Sequence, residues 1–198
     1  MPTFQLDPRL KLKPKRLIQR APEHRVQELL VRNPSLLGHV NERNPRRIVW
    51  FWYRSNREGD LWGIDDRGHL VIVEIKRRLG SGEKRKAVSQ IRAAARRAPD
   101  LERDDIERKY QLLKNRYGLE GKSFVREFEK RTRRTLHLKT GAEPFLYIVA
   151  GSYTQRAIKS VITRGRRRRR AIAFVTMYEV QVLGSAATPV VVTTERIR

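Results

Sequence analysis

The chain has 198 residues, which is enough for one domain with a substantial hydrophobic core. It contains no cysteine, which excludes disulfides and thiolate zinc sites, and no apolar run approaches the length of a membrane span. The formal net charge is +24, from 45 Lys and Arg against 21 Asp and Glu, and it indicates a polyanionic partner. By elimination we expect a cytoplasmic protein without a membrane partner, and a nucleoid-associated one if the polyanion is DNA.

Two regions are predicted: a basic arm over residues 1–20 and a single folded domain over residues 21–198. The arm mixes prolines with Lys and Arg, so we expect an extended arm that could include a short strand and that follows phosphates or a partner surface rather than building the core. A helix is predicted from Pro22 to the Asn33-Pro34 pair. The aromatic strand over residues 48–53 could stack bases, but packing within the sheet is the favoured interpretation.

A β-hairpin over residues 60–76 organises the rest of the chain. Residues 70–75 are almost wholly apolar, which is typical of a buried strand, and Asp66-Arg67-Gly68 suits a three-residue turn with Gly68 in the left-handed conformation. This turn places Asp60 directly opposite Glu74, and Lys76 shares their face of the hairpin. A loop of two or four residues would shift the register by one.

Two adjacent carboxylates repel each other unless a cation lies between them. Carboxylate oxygens suit Mg²⁺ or Mn²⁺, and Lys76 could orient a water molecule and stabilise charge developing on a phosphate. The pattern therefore indicates metal-assisted hydrolysis of a phosphodiester. The alternative is a surface hairpin in which Glu74 and Lys76 form a simple salt bridge.

The residues Asp60…Glu74-Ile75-Lys76 resemble the signature of the PD-(D/E)XK nuclease superfamily, with Gly-Asp in place of Pro-Asp. The amino-acid sequence of residues 59–77 is most similar to the C-terminal nuclease domain of NucS-type DNA endonucleases, and the resemblance extends over residues 23–182. It implies a restriction-endonuclease-like α/β fold, in which a mixed β-sheet is flanked by helices. It also implies a divalent metal held by Asp60, Glu74 and the Ile75 carbonyl.

Two further residues match the family by position. Glu23 corresponds better than Glu28 to a glutamate of the first helix that often reaches the metal, although favourable interaction with the helix dipole explains Glu23 equally well. Gln90 corresponds to a glutamine that supports the active site, within a helix predicted over residues 83–98. The family has a tyrosine four residues later, where this chain has Ala94, so a glutamine without function is an equal alternative.

The second half of the chain is predicted to hold a helical insertion over residues 100–134, a buried strand at 145–150 and a helix at 153–164. Two strands are expected at 171–175 and 178–183, and a β-prone tail at 189–198 could pair at an edge or across a homodimer. An arginine block precedes the first of these strands and suits a phosphate clamp better than a merely solvated loop. The residues expected to bind nucleic acid are Arg77, Arg78, Arg164, Arg166, Arg167, Arg168, Arg169 and Arg170.

These features predict a divalent-metal-dependent endonuclease that hydrolyses DNA in repair, junction or mismatch processing, or defence. Asp60, Glu74, Lys76 and Gln90 are its expected catalytic residues, and Asp60, Glu74, Ile75 and Glu23 its expected metal ligands. One alternative is a non-catalytic protein that binds DNA or RNA on a retained nuclease scaffold. The other is an assembly factor whose arginines neutralise RNA or contact a protein.

Overall fold

The computed structural model describes residues 12–16, 23–38, 46–53, 59–76, 81–98, 101–139, 141–150, 172–182 and 191–197. Its strands are β1 (Leu12–Arg16), β2 (Ile48–Tyr53), β3 (Leu61–Asp65), β4 (Leu70–Lys76), β5 (Phe145–Ala150), β6 (Ile172–Val182) and β7 (Val191–Ile197). Its helices are α1 (Glu23–Arg32), α2 (Ser35–Gly38), α3 (Ser81–Arg97), α4 (Arg103–Tyr117) and α5 (Phe124–Thr132).

Among the described residues, seven strands form one mixed sheet in the order β1-β6-β5-β4-β3-β2, with β7 paired to β6. Strands β2, β3 and β4 are antiparallel, whereas β5 lies parallel to both β4 and β6. Helix α3 packs on β4 and β5, and α4 and α5 pack on β2. The predicted α/β class, with a mixed sheet flanked by helices, is therefore confirmed.

The predicted hairpin register is also confirmed. Leu61 pairs with Val73, and the ladder continues to Ile64 opposite Leu70. The Asp65 N–H donates to the His69 carbonyl across a three-residue turn, and Gly68 has φ +82°, as the turn requires. Because side chains alternate along a strand, this register determines which residues of β3 and β4 share a face.

The helical insertion consists of two helices. Helix α4 ends at Tyr117 and is capped by Gly118, which has φ +61° and whose N–H donates a hydrogen bond to the Lys114 carbonyl. Helix α5 begins after Ser123, whose side chain accepts a hydrogen bond from the Arg126 N–H. Both helices bury aromatic side chains against β2, and the rings of Phe51 and Phe124 meet edge to face at 5.7 Å.

The C-terminal strands differ from the prediction. Residues 172–182 form one long strand, β6, instead of two, because β5, β1 and β7 pair along its length. Strand β7 pairs with β6 of the same chain, which is one of the two pairings predicted for the tail, and residues 12–16 form the short strand that was allowed for the basic arm and join β6. The helix predicted over 153–164 lies outside the described residues. None of the described helices is long and apolar enough to cross a membrane.

Candidate active site

Asp60, Glu74 and Lys76 come together at the end of the hairpin that lies away from its turn. Asp60 directly precedes β3, and continuing the observed register by one residue places it opposite Glu74. Glu74 is 1% exposed, and its Oε1 lies 2.6 Å from Nζ of the half-buried Lys76. The structure thus brings together two carboxylates and one ammonium group, which are the three side chains that the sequence placed on one face.

Backbone groups hold both carboxylates in position. Oδ2 of Asp60 accepts a 2.5 Å hydrogen bond from the Ile75 N–H, and Oε2 of Glu74 accepts a 3.1 Å hydrogen bond from the Gly59 N–H. Gly59 has φ +65°, and a Cβ at this position would overlap Ile72. Gly59, at the position where the nuclease signature that this segment resembles has a proline, therefore allows a left-handed, tightly packed backbone and supplies a donor that proline lacks.

The electrostatics of the site follow from burial and from the proximity of like charges. The pKa of Asp60 is raised to about 7, mainly by burial and next by the charge of Glu74. Burial also raises the pKa of Glu74, although the hydrogen bond and charge of Lys76 oppose the increase. Burial alone would lower the pKa of Lys76, but the hydrogen bond and charge of Glu74, with smaller contributions from Asp60 and Glu23, raise it.

Helix α1 reaches the site from the other side of Asp60. Nε2 of Gln27 donates a 2.6 Å hydrogen bond to the backbone carbonyl of Asp60. Glu23 lies one helical turn before Gln27, and its charge acts on Asp60, Glu74 and Lys76 alike. Glu28 instead pairs with Arg32 at 3.0 Å on the exposed face of α1. Of the two glutamates, Glu23 is therefore the one whose charge acts on all three side chains of the site.

The remaining predicted site residues are placed as follows. Ile75 is buried in β4, and its carbonyl faces the same side as its N–H, toward Asp60, because both groups of a strand residue point to one neighbour. Gln90 is half-buried on α3, one turn before Ala94, which packs beside Gly59. Arg77, Arg78 and the arginines of residues 164–170 lie outside the described residues, so their nucleic-acid contacts stay predictions.

The donors at this site are of the kind that Mg²⁺ and Mn²⁺ prefer: two carboxylates, a backbone carbonyl beside them, and a third carboxylate on α1. Over the described ranges, however, no three Asp, Glu, His or Cys side chains are grouped closely enough to form a metal site by themselves. The chemistry of the donors fits a divalent ion at Asp60, Glu74 and Ile75, with Glu23 outside this inner group.

Two residues of the site were given no role at the site by the sequence prediction. Gln27 was overlooked, although its spacing of four residues from Glu23 places both on one face of α1. Gly59 was read only as a substitute for proline, but its N–H holds Glu74.

The aromatic strand is mainly core, as predicted. Residues 48–51 are buried, whereas Trp52 and Tyr53 are half-buried. The rings of Trp52 and Trp62 lie 5.0 Å apart, and Nζ of Lys109 lies 4.3 Å from the Trp52 ring, which covers that face with protein.

Comparisons of the chain with protein-family models, with curated proteins and with solved structures found no match.

Proposed function

We propose that this protein is a divalent-metal-dependent endonuclease that hydrolyses DNA phosphodiester bonds, with a restriction-endonuclease-like fold. The observation that carries the proposal is the convergence of Asp60, Glu74 and Lys76 at one end of the β3–β4 hairpin. Burial of two carboxylates side by side costs free energy, as the raised pKa of Asp60, about 7, records. A site that retains such a pair is a strong candidate for cation binding and catalysis.

Asp60, Glu74 and the Ile75 carbonyl would hold the metal, which when bound polarises a phosphoryl oxygen and acidifies a water molecule. Glu23 would add negative charge from α1. Lys76 is held protonated by its carboxylate neighbours, so it would act as a hydrogen-bond donor and not as a base. It would orient the attacking water and offset charge on the phosphate in the transition state. Gln90 would support the site from α3.

The net charge of +24 supports DNA as the substrate, because a polyanion is attracted without recognition of its sequence. The same charge supports a second candidate, a non-catalytic protein that binds DNA or RNA on this scaffold. The 2.6 Å pair of Glu74 and Lys76 favours that alternative, since it also satisfies both charges without any metal. A cytoplasmic, nucleoid-associated location belongs to both proposals.

Cleavage of a labelled panel tests the proposal: plasmid, linear duplex, single strand, mismatched duplex and four-way junction, each with Mg²⁺, Mn²⁺ or EDTA. We expect metal-dependent cutting that Asp60→Asn and Glu74→Gln abolish. Glu28→Gln is the matched control, because it neutralises an exposed carboxylate of α1 that is paired with Arg32, and it should cut at the wild-type rate. Tight binding without cutting under any metal would favour the non-catalytic alternative.

A further inference from the structure

A second charged surface lies at the opposite end of the hairpin, where residues 130–139 cross its turn. This basic segment holds five Lys and Arg and no Asp or Glu. It includes the end of α5 and the extended chain that follows. Strand β3 separates it from Asp60 by five residues, or about 17 Å, so the basic segment is distinct from the candidate active site.

Contacts with the hairpin turn fix the backbone of the basic segment. The Lys139 N–H donates a 3.0 Å hydrogen bond to the Gly68 carbonyl, and a Cβ at Gly68 would overlap the His137 carbonyl oxygen. Nη1 of Arg134 donates to the Asp66 carbonyl at 3.3 Å. Leu136 and Leu138 are partly buried and pack against the core, whereas His137 and Lys139, which alternate with them, are exposed. The exposed cations are therefore presented from a fixed support.

Arg133 occupies a conformation that favours glycine. It ends α5 with φ +57°, and among the described residues it is the one non-glycine with positive φ. A left-handed backbone costs more free energy for a side chain with a Cβ than for glycine. Glycine would cap the helix with less strain, so the capping role alone does not account for an arginine at this position.

Most cations of the basic segment form no ion pair with a carboxylate of the described residues. Arg131 pairs with Glu127, but none of the carboxylates in the described part of the chain forms an ion pair with Lys130, Arg133, Arg134 or Lys139. Nζ of Lys139 instead lies 3.3 Å from Nε2 of His69. Clustered like charges repel each other, so this arrangement is unfavourable until an anion binds.

We propose that the basic segment binds the phosphate backbone of nucleic acid, independently of the candidate active site. A protein partner would require apolar anchors, but the large exposed hydrophobic residue of the described chain is Leu112 on α4, which is not part of this segment, and Leu136 and Leu138 are half-buried. Unmatched Arg and Lys on a rigid support instead suit phosphate oxygens. This binding does not depend on cleavage, so the proposal would still hold if the protein had no nuclease activity.

The test is the salt dependence of binding to a 30-base-pair duplex in EDTA. The segment variant carries Arg133→Gly, Arg134→Gln and Lys139→Gln, and the control variant carries Arg108→Gln, Arg116→Gln and Lys122→Gln. Both variants lose three positive charges. The slope of log K against log salt is negative, and each lost phosphate contact reduces its magnitude by about 0.9. We therefore expect the magnitude of the slope to fall by between about two and three in the segment variant and to stay unchanged in the control variant.

Three outcomes would overturn the proposal: an unchanged slope in the segment variant, equal changes in both variants, or an equal loss of binding to polyglutamate and to DNA. The single variant Arg133→Gly separates binding from folding. It should weaken DNA binding while leaving the melting temperature equal to or above that of the wild type, because glycine relieves the strained φ. Weaker binding accompanied by a lower melting temperature would assign Arg133 a structural role and contradict the proposal.

Discussion

The side-chain amide of Gln27 donates a 2.6 Å hydrogen bond to the backbone carbonyl of Asp60. This contact joins α1 to the residue immediately before β3, over a separation of 33 positions in the chain. Gln27 is buried, and its hydrogen bond helps to determine where the Asp60 backbone lies relative to Glu74. We therefore regard Gln27 as a positioning residue for the candidate active site.

Replacing Gln27 by alanine should reduce cleavage about 10- to 100-fold, because small displacements of a metal-binding carboxylate are costly. DNA binding in EDTA should not change. Gln27→Glu should behave like alanine, since a carboxylate cannot donate to a carbonyl. The matched control is Gln111→Ala, whose amide donates to the Lys122 carbonyl at an exposed position. Wild-type cleavage by Gln27→Ala at full metal occupancy would exclude the positioning role.

The raised pKa of Asp60 predicts a pH-dependent stability. The folded-state pKa of about 7 lies above the ordinary value of 3.8, so the folded protein binds this proton more tightly than the unfolded chain does. The stabilisation that Asp60 contributes by binding this proton is fully present below pH 3.8, and it is lost as the pH rises through 7. Asp60→Asn should remove this dependence and stabilise the metal-free protein at pH 8, on the order of a few kcal/mol.

Thermal melting in EDTA between pH 5 and pH 8 measures this effect. The gain of Asp60→Asn over the wild type should grow as the pH rises from 5 to 8, and it should be clearly smaller at pH 5 than at pH 8. A variant that is destabilised equally at every pH would show that the carboxylate is not under electrostatic strain. Asp105→Asn is a suitable control, because its hydrogen bonds with Lys109 and Arg108 lower the pKa of Asp105 instead of raising it.

Gly68 should tolerate no side chain. Its φ of +82° disfavours a Cβ, and that Cβ would also overlap the His137 carbonyl. Gly68→Ala should therefore destabilise the protein by about 2 kcal/mol or more. Gly118→Ala is the matched control, because Gly118 has φ +61° but no neighbour within 4 Å of the added Cβ. Urea unfolding should give a clearly larger loss for Gly68→Ala, and equal losses would exclude the steric contribution.

Asp65 is fully buried and is paired with Arg46, whose guanidinium also lies 3.8 Å from the centre of the Phe145 ring. Oδ1 of Asp65 accepts hydrogen bonds from the Arg67 and His69 N–H groups. Arg46→Met should cost about 3–5 kcal/mol, because it leaves a buried carboxylate without its cation. Chemical denaturation measures the loss, and Arg32→Met, which breaks an exposed pair, should cost under about 1 kcal/mol. A similar loss of stability in both variants would contradict the conclusion that Arg46 neutralises a buried carboxylate.

Much of the candidate site could be predicted because its geometry is local. The turn Asp66-Arg67-Gly68 and the alternation of side chains along two adjacent strands are sufficient to place Asp60 opposite Glu74, and both are properties of neighbouring residues. Helix α3 was likewise predicted to within about two residues, because the alanines and Ile91 on its packed face repeat with helical spacing. Pairing between strands that are distant in sequence cannot be predicted from local patterns. The sequence prediction therefore divided β6 into two strands.

The sequence by itself determined the α/β class, the register of the hairpin and the three polar side chains that share its face. These depend on composition, on alternation and on a glycine that the turn requires. Only the tertiary structure brought Gln27 onto the Asp60 carbonyl, buried Asp65 against Arg46 and laid the basic segment over Gly68. Each of those contacts joins residues that are distant in sequence or on different elements, and their packing follows from burial of a shared core that no local pattern encodes.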